Sequence, residues 1–483
     1  MAASHPSSPA RPTATNGTVG TIFASTSIPP AATANVPCWI DNYTTFIYNY
    51  CLPQTQSPTI LALANGDLGV GYSILTTVGP QCNATGGSNL TSWTATNVAW
   101  ARSTTNGSTW GTPQLIGNST CQWPASSMPT FATGSGNSVF GAFILSNLTK
   151  NQTSPYGSQQ LLPPDWTNLT GDALGFVSSS NNGRTWSNVS EVPSVTGAAR
   201  PDMAVFGDTI YVVYVVAPAA VANYTVGAYT YPGTSVAPSV DIVYSSNGGT
   251  SWHGPFALPG ENASFGNWST SPSIAVNATG GINVAYATNR SCVQNCLFPT
   301  GAYYADDVVL SESTSNGSSW STPVTVAPKV GDSPHFMNYD DYYFYGFQGG
   351  WQFAPETSIA IGSSASTIYV AYAGTHFESA GTFYNWEYSG IFAAVTTNGG
   401  TTWTDGGVNA PINSQDDLYS PSIAYSSGTV YLAYVWANNT YCSSIVCSPF
   451  QESYSSWLAT STNGIAWSNT FTALSKMPYV NYF

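Results

Sequence analysis

The chain has 483 residues, of which 42% are apolar and 14% aromatic, so a large core can form, yet only 6% are charged, against about 25% in ordinary globular domains. A net charge of −14 with only eight Lys plus Arg argues against nucleic acid, whose phosphates require clustered cations. No apolar run reaches the roughly 18 residues of a spanning helix, so no membrane span is expected.

Residues 1–56 read as an N-terminal arm. The first 16 are rich in Pro, Ser, Ala and Thr and resemble a linker. Met1-Ala-Ala-Ser-His-Pro carries no apolar leader core. Thr18-Val-Gly-Thr-Ile-Phe-Ala-Ser25 reads as a spare strand. It is expected to pair with a strand edge, either within its own ring or on a neighbouring copy.

Residues 57–483 contain six copies of one pattern. A short run, Pro-led in five copies, opens each: Pro58-Thr-Ile-Leu, Pro129-Thr-Phe-Ala, Pro201-Asp-Met-Ala, Pro272-Ser-Ile-Ala, Thr357-Ser-Ile-Ala and Pro421-Ser-Ile-Ala. A second run ends in an aromatic residue: Tyr72, Phe143, Tyr214, Tyr286, Tyr372 and Tyr434. A variable loop leads to a third strand, a Gly-containing turn, and then Trp110, Trp186, Trp252, Trp320, Trp403 or Trp467. Asn-Gly or Gly-Gly at such a turn supplies the positive φ angles that tight hairpins require. Trp-to-Trp intervals of 76, 66, 68, 83 and 64 residues suit four strands per copy. The expected fold is all-β: a six-bladed β-propeller of four-stranded antiparallel blades preceded by the arm.

The hairpins, from Ser103–Trp110 to Thr460–Trp467, resemble the Asp box (Ser-x-Asp-x-Gly-x-Thr-Trp) of the BNR-repeat, sialidase-like propellers. The Asp position is read here as Thr105, Asn181, Asn247, Ser315, Asn398 and Thr462. Each can still hydrogen-bond the turn backbone. The resemblance implies the fold and places the box away from the usual site face. It also implies that a sialidase would need three arginines gripping the substrate carboxylate, a Tyr–Glu pair and an Asp acid/base. Of five arginines, Arg11 lies in the arm and Arg102 and Arg184 lie beside hairpins; only Arg200 and Arg290 map to the site face. The triad is therefore not visible, and catalysis is not expected.

Candidate binding residues are Arg200, Asp202, Arg290, Tyr339, Asp340, Asp341, Trp351, Glu356, Asp416 and Asp417. The loop 331–351 is rich in aromatics able to stack on sugars or bury a partner. Asp202, Glu356, Asp416 and Asp417 offer carboxylate pairs for some other glycosidase. No cofactor is implied. Asp306-Asp307, Asp340-Asp341 and Asp416-Asp417 are candidate Ca²⁺ ligands without the spacing of a known calcium loop, and read better as solvated turns.

Seventeen Asn-x-Ser/Thr acceptors, about twice the chance number, point to a glycosylated extracellular or cell-surface protein: Asn16, Asn42, Asn83, Asn89, Asn106, Asn118, Asn147, Asn151, Asn168, Asn188, Asn223, Asn262, Asn267, Asn277, Asn289, Asn316 and Asn438. Eight cysteines agree with export and fall into local couples: Cys38 with Cys51, Cys82 with Cys121, Cys292 with Cys296, and Cys442 with Cys447. The leading functional expectation is a non-catalytic surface module that binds glycans or proteins or assembles with its own copies. A glycoside hydrolase and a receptor-type ectodomain are the alternatives.

Overall fold

The computed structural model describes residues 39–43, 46–50, 55–78, 93–117, 123, 125–146, 173–216, 220–226, 229–234, 239–259, 269–288, 307–328, 330–331, 356–376, 390–407, 417–438, 453–467 and 472–476. Among these there is no helix.

Six antiparallel sheets follow one another as the blades of a propeller, each built in simple up-and-down order. Blade one comprises Thr55–Ala62, Leu68–Val78, Trp93–Ser103 and Gln114–Leu115. Blade two comprises Ala125–Thr133, Val139–Ser146, Ala173–Ser179 and Ser190–Glu191. Blade three has Ala198–Phe206, Thr209–Val216, Ser239–Ser245 and His253–Ala257. Blade four has Ser269–Val276, Ile282–Thr288, Asp307–Ser313 and Val324–Pro328. Blade five has Thr357–Ile361, Ile368–His376, Gly390–Thr396 and Thr404–Gly407. Blade six has Asp417–Ser426, Thr429–Asn438, Ser453–Ser461 and Thr472–Lys476. First strands of consecutive blades pack on one another from blade one to blade six, which makes them the inner strands around the axis.

The second strands explain the core. Val139–Ser146 and Ile282–Thr288 are buried at every position. Such a strand is covered on both faces, so its sequence reads as a continuous apolar run rather than an alternation. Small residues let neighbouring blades approach: a Cβ on Gly71 of blade one would collide with the Phe131 ring of blade two. Five clusters fill the seams between consecutive blades, and in each one the hairpin Trp of the later blade is packed. Trp186 stands edge-on to Trp100 of blade one at 5.1 Å, and Trp252 to Phe176 of blade two at 5.1 Å. Edge-to-face pairs of this kind add to the area they bury.

The hairpins are held by side chains bonded to the turn backbone. The hydroxyls of Ser103, Ser179, Ser245, Ser313, Thr396 and Ser461 accept from the N–H of Gly107, Gly183, Gly249, Gly317, Gly400 and Gly464 at 2.8–3.1 Å. Those glycines have φ between +71° and +88°, the region only glycine enters without strain. Two residues after each hydroxyl, Thr105, Asn181, Asn247, Ser315 and Asn398 accept from a backbone N–H further round the turn. Blade six departs from the expected alignment. There Asn463, not Thr462, accepts from Ile465 and Ala466, and Ser461, not Thr460, holds Gly464. This hairpin is one residue shorter, so alignment on its Trp shifted both roles.

Three further readings need correction. The Pro residues do not open the inner strands. In blades one, two, three, four and six the strand starts earlier, and Pro58, Pro129, Pro201, Pro272 and Pro421 lie within a break in register. A bulge is where a strand tolerates a residue with no N–H. The variable loop between the second and third strands of blade three contains a hairpin of its own, Ala220–Val226 with Tyr229–Thr234. The arm also contains a hairpin, Trp39–Tyr43 with Phe46–Tyr50. The expected strand 18–25 and all eight cysteines lie outside the described residues.

Candidate functional site

The bulges form a ring at one end of the inner strands, and the residue just before each Pro is its variable element. These positions are Ser57, Met128, Arg200, Ser271 and Ser420. Met128, Arg200, Ser271 and Ser420 share φ between +46° and +53°. That conformation is costly for a residue with a side chain, and it recurs where the surrounding structure over-determines it. In blade five the bulge is replaced by an insertion. Val330–Gly331 pairs with Thr375 and His376, while the inner strand proper resumes at Thr357. Glu356 therefore stands in blade five, directly before the inner strand, where Arg200 stands in blade three, and residues 332–355 lie outside the described residues. The aromatic segment read from the sequence joins Gly331 to Glu356 in the chain, and Tyr339, Asp340, Asp341 and Trp351 lie outside the described residues.

Three consecutive ring positions interact. Arg200 Nη1 donates to Ser271 Oγ at 2.8 Å, and Glu356 of the next blade lies near enough to favour the guanidinium charge. Burial lowers the arginine's pKa and the Glu356 carboxylate opposes that shift; arginine nonetheless stays cationic in proteins. Glu356 Oε2 is buried and has no hydrogen-bond donor among the described residues. A carboxylate oxygen in that condition wants a donor, because an unpaired buried acceptor costs about 1–3 kcal/mol.

Asp202 has a different fate. Its Oδ1 accepts from Met203 N–H at 2.9 Å and Thr130 Oγ1 at 3.3 Å; its Oδ2 accepts from Ser273 Oγ and Ile274 N–H, both at 2.9 Å. One carboxylate thus ties blades two, three and four together. Burial pushes its pKa up, while the four donors pull it down. The same position in other blades does the same work with less charge. Thr59 bonds Pro129 O, Ser273 accepts from Ile359 N–H, and Ser358 accepts from Ile423 N–H.

Of the other sequence candidates, Asp417 begins blade six's inner strand opposite Ala437, and Arg290 and Asp416 lie outside the described residues. Arg102 is paired with Asp67 of its own blade, and Arg184 is exposed beside its hairpin. Asp307, expected in a solvated turn, is instead buried at the start of a third strand, Asp307–Ser313. Among the described residues no three His, Cys, Asp or Glu side chains converge on a common point. Exposed sequon asparagines include Asn106, Asn188 and Asn316. Ser271 was missed as a site residue. Aligning the residue before each repeat's Pro would have exposed it. On the opposite, hairpin face, Ser138, Phe140, Trp186, Asp208 and Asn247 line an open polar groove of about 560 Å³ between blades two and three.

No family model and no curated protein sequence matches the chain. Among solved structures it is similar to a Dyadobacter fermentans protein of unknown function, with 13% identity, 79% of this chain and 90% of that one covered, and a TM-score of 0.45. It is also similar to Trypanosoma rangeli sialidase (13% identity, 81% and 54% covered, TM-score 0.46) and to a PL25 ulvan lyase (10% identity, 88% and 85% covered, TM-score 0.46). The match thus spans about half the length of the trypanosomal sialidase.

Proposed function

We propose that the protein is an extracellular, glycosylated, non-catalytic propeller that binds a hydroxyl-rich ligand, a glycan, at the channel mouth. In this reading its six hairpins are diverged Asp boxes. The observation that carries the proposal is the division of labour among the charged groups of the ring. Asp202 is saturated by four donors, which suits a structural tie and leaves it nothing to give as a proton shuttle. Arg200 is engaged by Ser271 and faces Glu356, so the ring's described cation does not stand ready for a ligand carboxylate. What remains is Glu356 Oε2, an acceptor suited to a ligand hydroxyl, which in sequence directly follows a segment rich in Tyr and containing Trp351, rings that suit sugar faces.

Glycan-array binding of the intact protein, paired with Glu356→Gln, tests this. Expected is binding to a neutral glycan that weakens about tenfold in the variant, as loss of a charge-assisted hydrogen bond implies, with no product released on prolonged incubation. Release of product abolished in Glu356→Gln would replace binding by glycoside hydrolysis. That second reading rests on the same unpartnered carboxylate oxygen. No binding to any array member would end the glycan reading.

A further inference from the structure

Every hairpin turn carries an Asn-Gly pair, and the pair falls in two registers. In blades one, two, four and six it is Asn106-Gly107, Asn182-Gly183, Asn316-Gly317 and Asn463-Gly464. There the glycine N–H is the one held by the clamping hydroxyl of Ser103, Ser179, Ser313 or Ser461, at 2.8–2.9 Å. In blades three and five the pair comes one residue earlier, as Asn247-Gly248 and Asn398-Gly399. The clamping hydroxyls of Ser245 and Thr396 then hold the second glycine instead, Gly249 and Gly400.

These two early pairs are matched in nearly everything. Both continue as Asn-Gly-Gly-Thr, and both asparagines are exposed. Asn247 Oδ1 accepts from Ser245 Oγ and Ser251 N–H, and its Nδ2 donates to Ser251 Oγ. Asn398 Oδ1 accepts from Thr396 Oγ1 and Thr402 N–H, and its Nδ2 donates to Thr402 Oγ1. They differ at the nitrogen that follows. Gly399 N–H donates to the Ser366 carbonyl at 2.9 Å, in the turn 362–367 between the first two strands of blade five. Blade two reaches its hairpin in the same way, with Asn137 O in the turn 134–138 accepting from Asn182 N–H at 2.8 Å. In blade three the equivalent turn is only Gly207 and Asp208, and Gly248 N–H has no acceptor among the described residues.

We infer that Asn247 is the preferred site of spontaneous deamidation among these Asn-Gly pairs. The Gly248 nitrogen, giving up its proton to base, attacks Asn247 Cγ. The new C–N bond closes a succinimide, and the side-chain nitrogen takes up a proton and leaves as ammonia. Water then opens the ring at either carbonyl, giving aspartate or isoaspartate, with no oxidant or reductant consumed. Glycine lacks the Cβ that would shield the attacking nitrogen. An N–H already donated elsewhere must first break that bond, which slows the step at the other hairpins. Gly66, after Asn65 in the turn of blade one, is held likewise by the Leu63 carbonyl at 2.9 Å. Aspartate at 247 still accepts from Ser251 N–H, whereas isoaspartate lengthens the backbone by one carbon and unlatches the turn. Either product adds a negative charge to the groove that Asn247 and Gly248 line together with Asp208. The inference does not depend on the ligand at the channel mouth.

The test is incubation of the folded, full-length protein in warm, mildly alkaline buffer, with peptide mapping by mass spectrometry over time and isoaspartyl methyltransferase labelling of the products. Conversion at Asn247 is expected to run at least about tenfold faster than at Asn398, as release from one backbone hydrogen bond implies. Asn65, Asn106, Asn182, Asn316 and Asn463 are expected to convert no faster than Asn398. In concentrated urea the two Asn-Gly-Gly-Thr sites are expected to convert at equal rates. Equal rates at Asn247 and Asn398 in the folded protein would overturn the inference. A preference for Asn247 that persists in urea would overturn it too, because the preference would then come from local sequence and not from the fold.

Discussion

The hairpin face and the channel mouth are built from the same six-fold repeat, but they use it in opposite ways. On the hairpin face the equivalent positions do equivalent work. Ser, Thr and Asn interchange because any small oxygen can accept the same backbone N–H. At the channel mouth one position, the residue before each Pro, is occupied by Ser57, Met128, Arg200, Ser271, Glu356 and Ser420, and the chemistry comes from their differences. Repetition there serves as a frame on which side-chain chemistry varies from blade to blade.

The comparison can be broken most severely at a seam. Trp186→Ala removes an indole packed against Trp100 and Phe131. It is expected to lower unfolding free energy by about 3–5 kcal/mol in denaturant titration; a loss below about 1 kcal/mol would mean that the hairpin Trp does not hold the blades together. Asp202→Ala should cost about 2–4 kcal/mol, since it orphans donors from three blades. An Asp202 variant of full stability but altered ligand binding would move this residue from the frame to the site. Ser179→Ala, on the hairpin face, should cost about 1 kcal/mol through the lost bond to Gly183. The smallest effect is expected for Asn181→Asp, within about 0.5 kcal/mol on either side of zero, because the aspartate accepts the same Thr185 N–H.

Acid sharpens the contrast between frame and surface. The described carboxyls with a resolved shift, Asp202, Asp241 and Glu312, are all raised, and in each burial is the main cause. A carboxyl whose pKa is higher folded than unfolded binds its proton more tightly in the fold. Its contribution is fully present below the ordinary value near 4 and declines as pH rises through the folded value. The melting temperature is therefore expected to be at least as high near pH 4 as near pH 7. A fall on acidification, followed by calorimetry, would overturn this expectation.

The repeat, the blade number and the hairpin chemistry were legible in the sequence because they rest on local physics. A turn with positive φ selects Gly, a small oxygen caps the turn, and a doubly covered strand such as Ile282–Thr288 is apolar throughout. Each signal sits within ten residues of its cause. The six-fold recurrence then multiplied weak local cues into a clear fold. The bulge at each Pro was misread as a strand opening because Pro marks both, and only the partner strand's register distinguishes them.

What the tertiary structure alone decided is which partners two neighbouring charged groups take. Arg200 and Asp202 are two residues apart and both looked like site residues. Their roles separate only through partners 71 positions away or more, Ser271 and Glu356 for the arginine, Ser273 and Thr130 for the aspartate. Local sequence determines what a blade is, because its strands and turns are satisfied within the repeat. The meeting of blades is governed by side chains from different repeats, and no pattern within one repeat records which of them will find a partner.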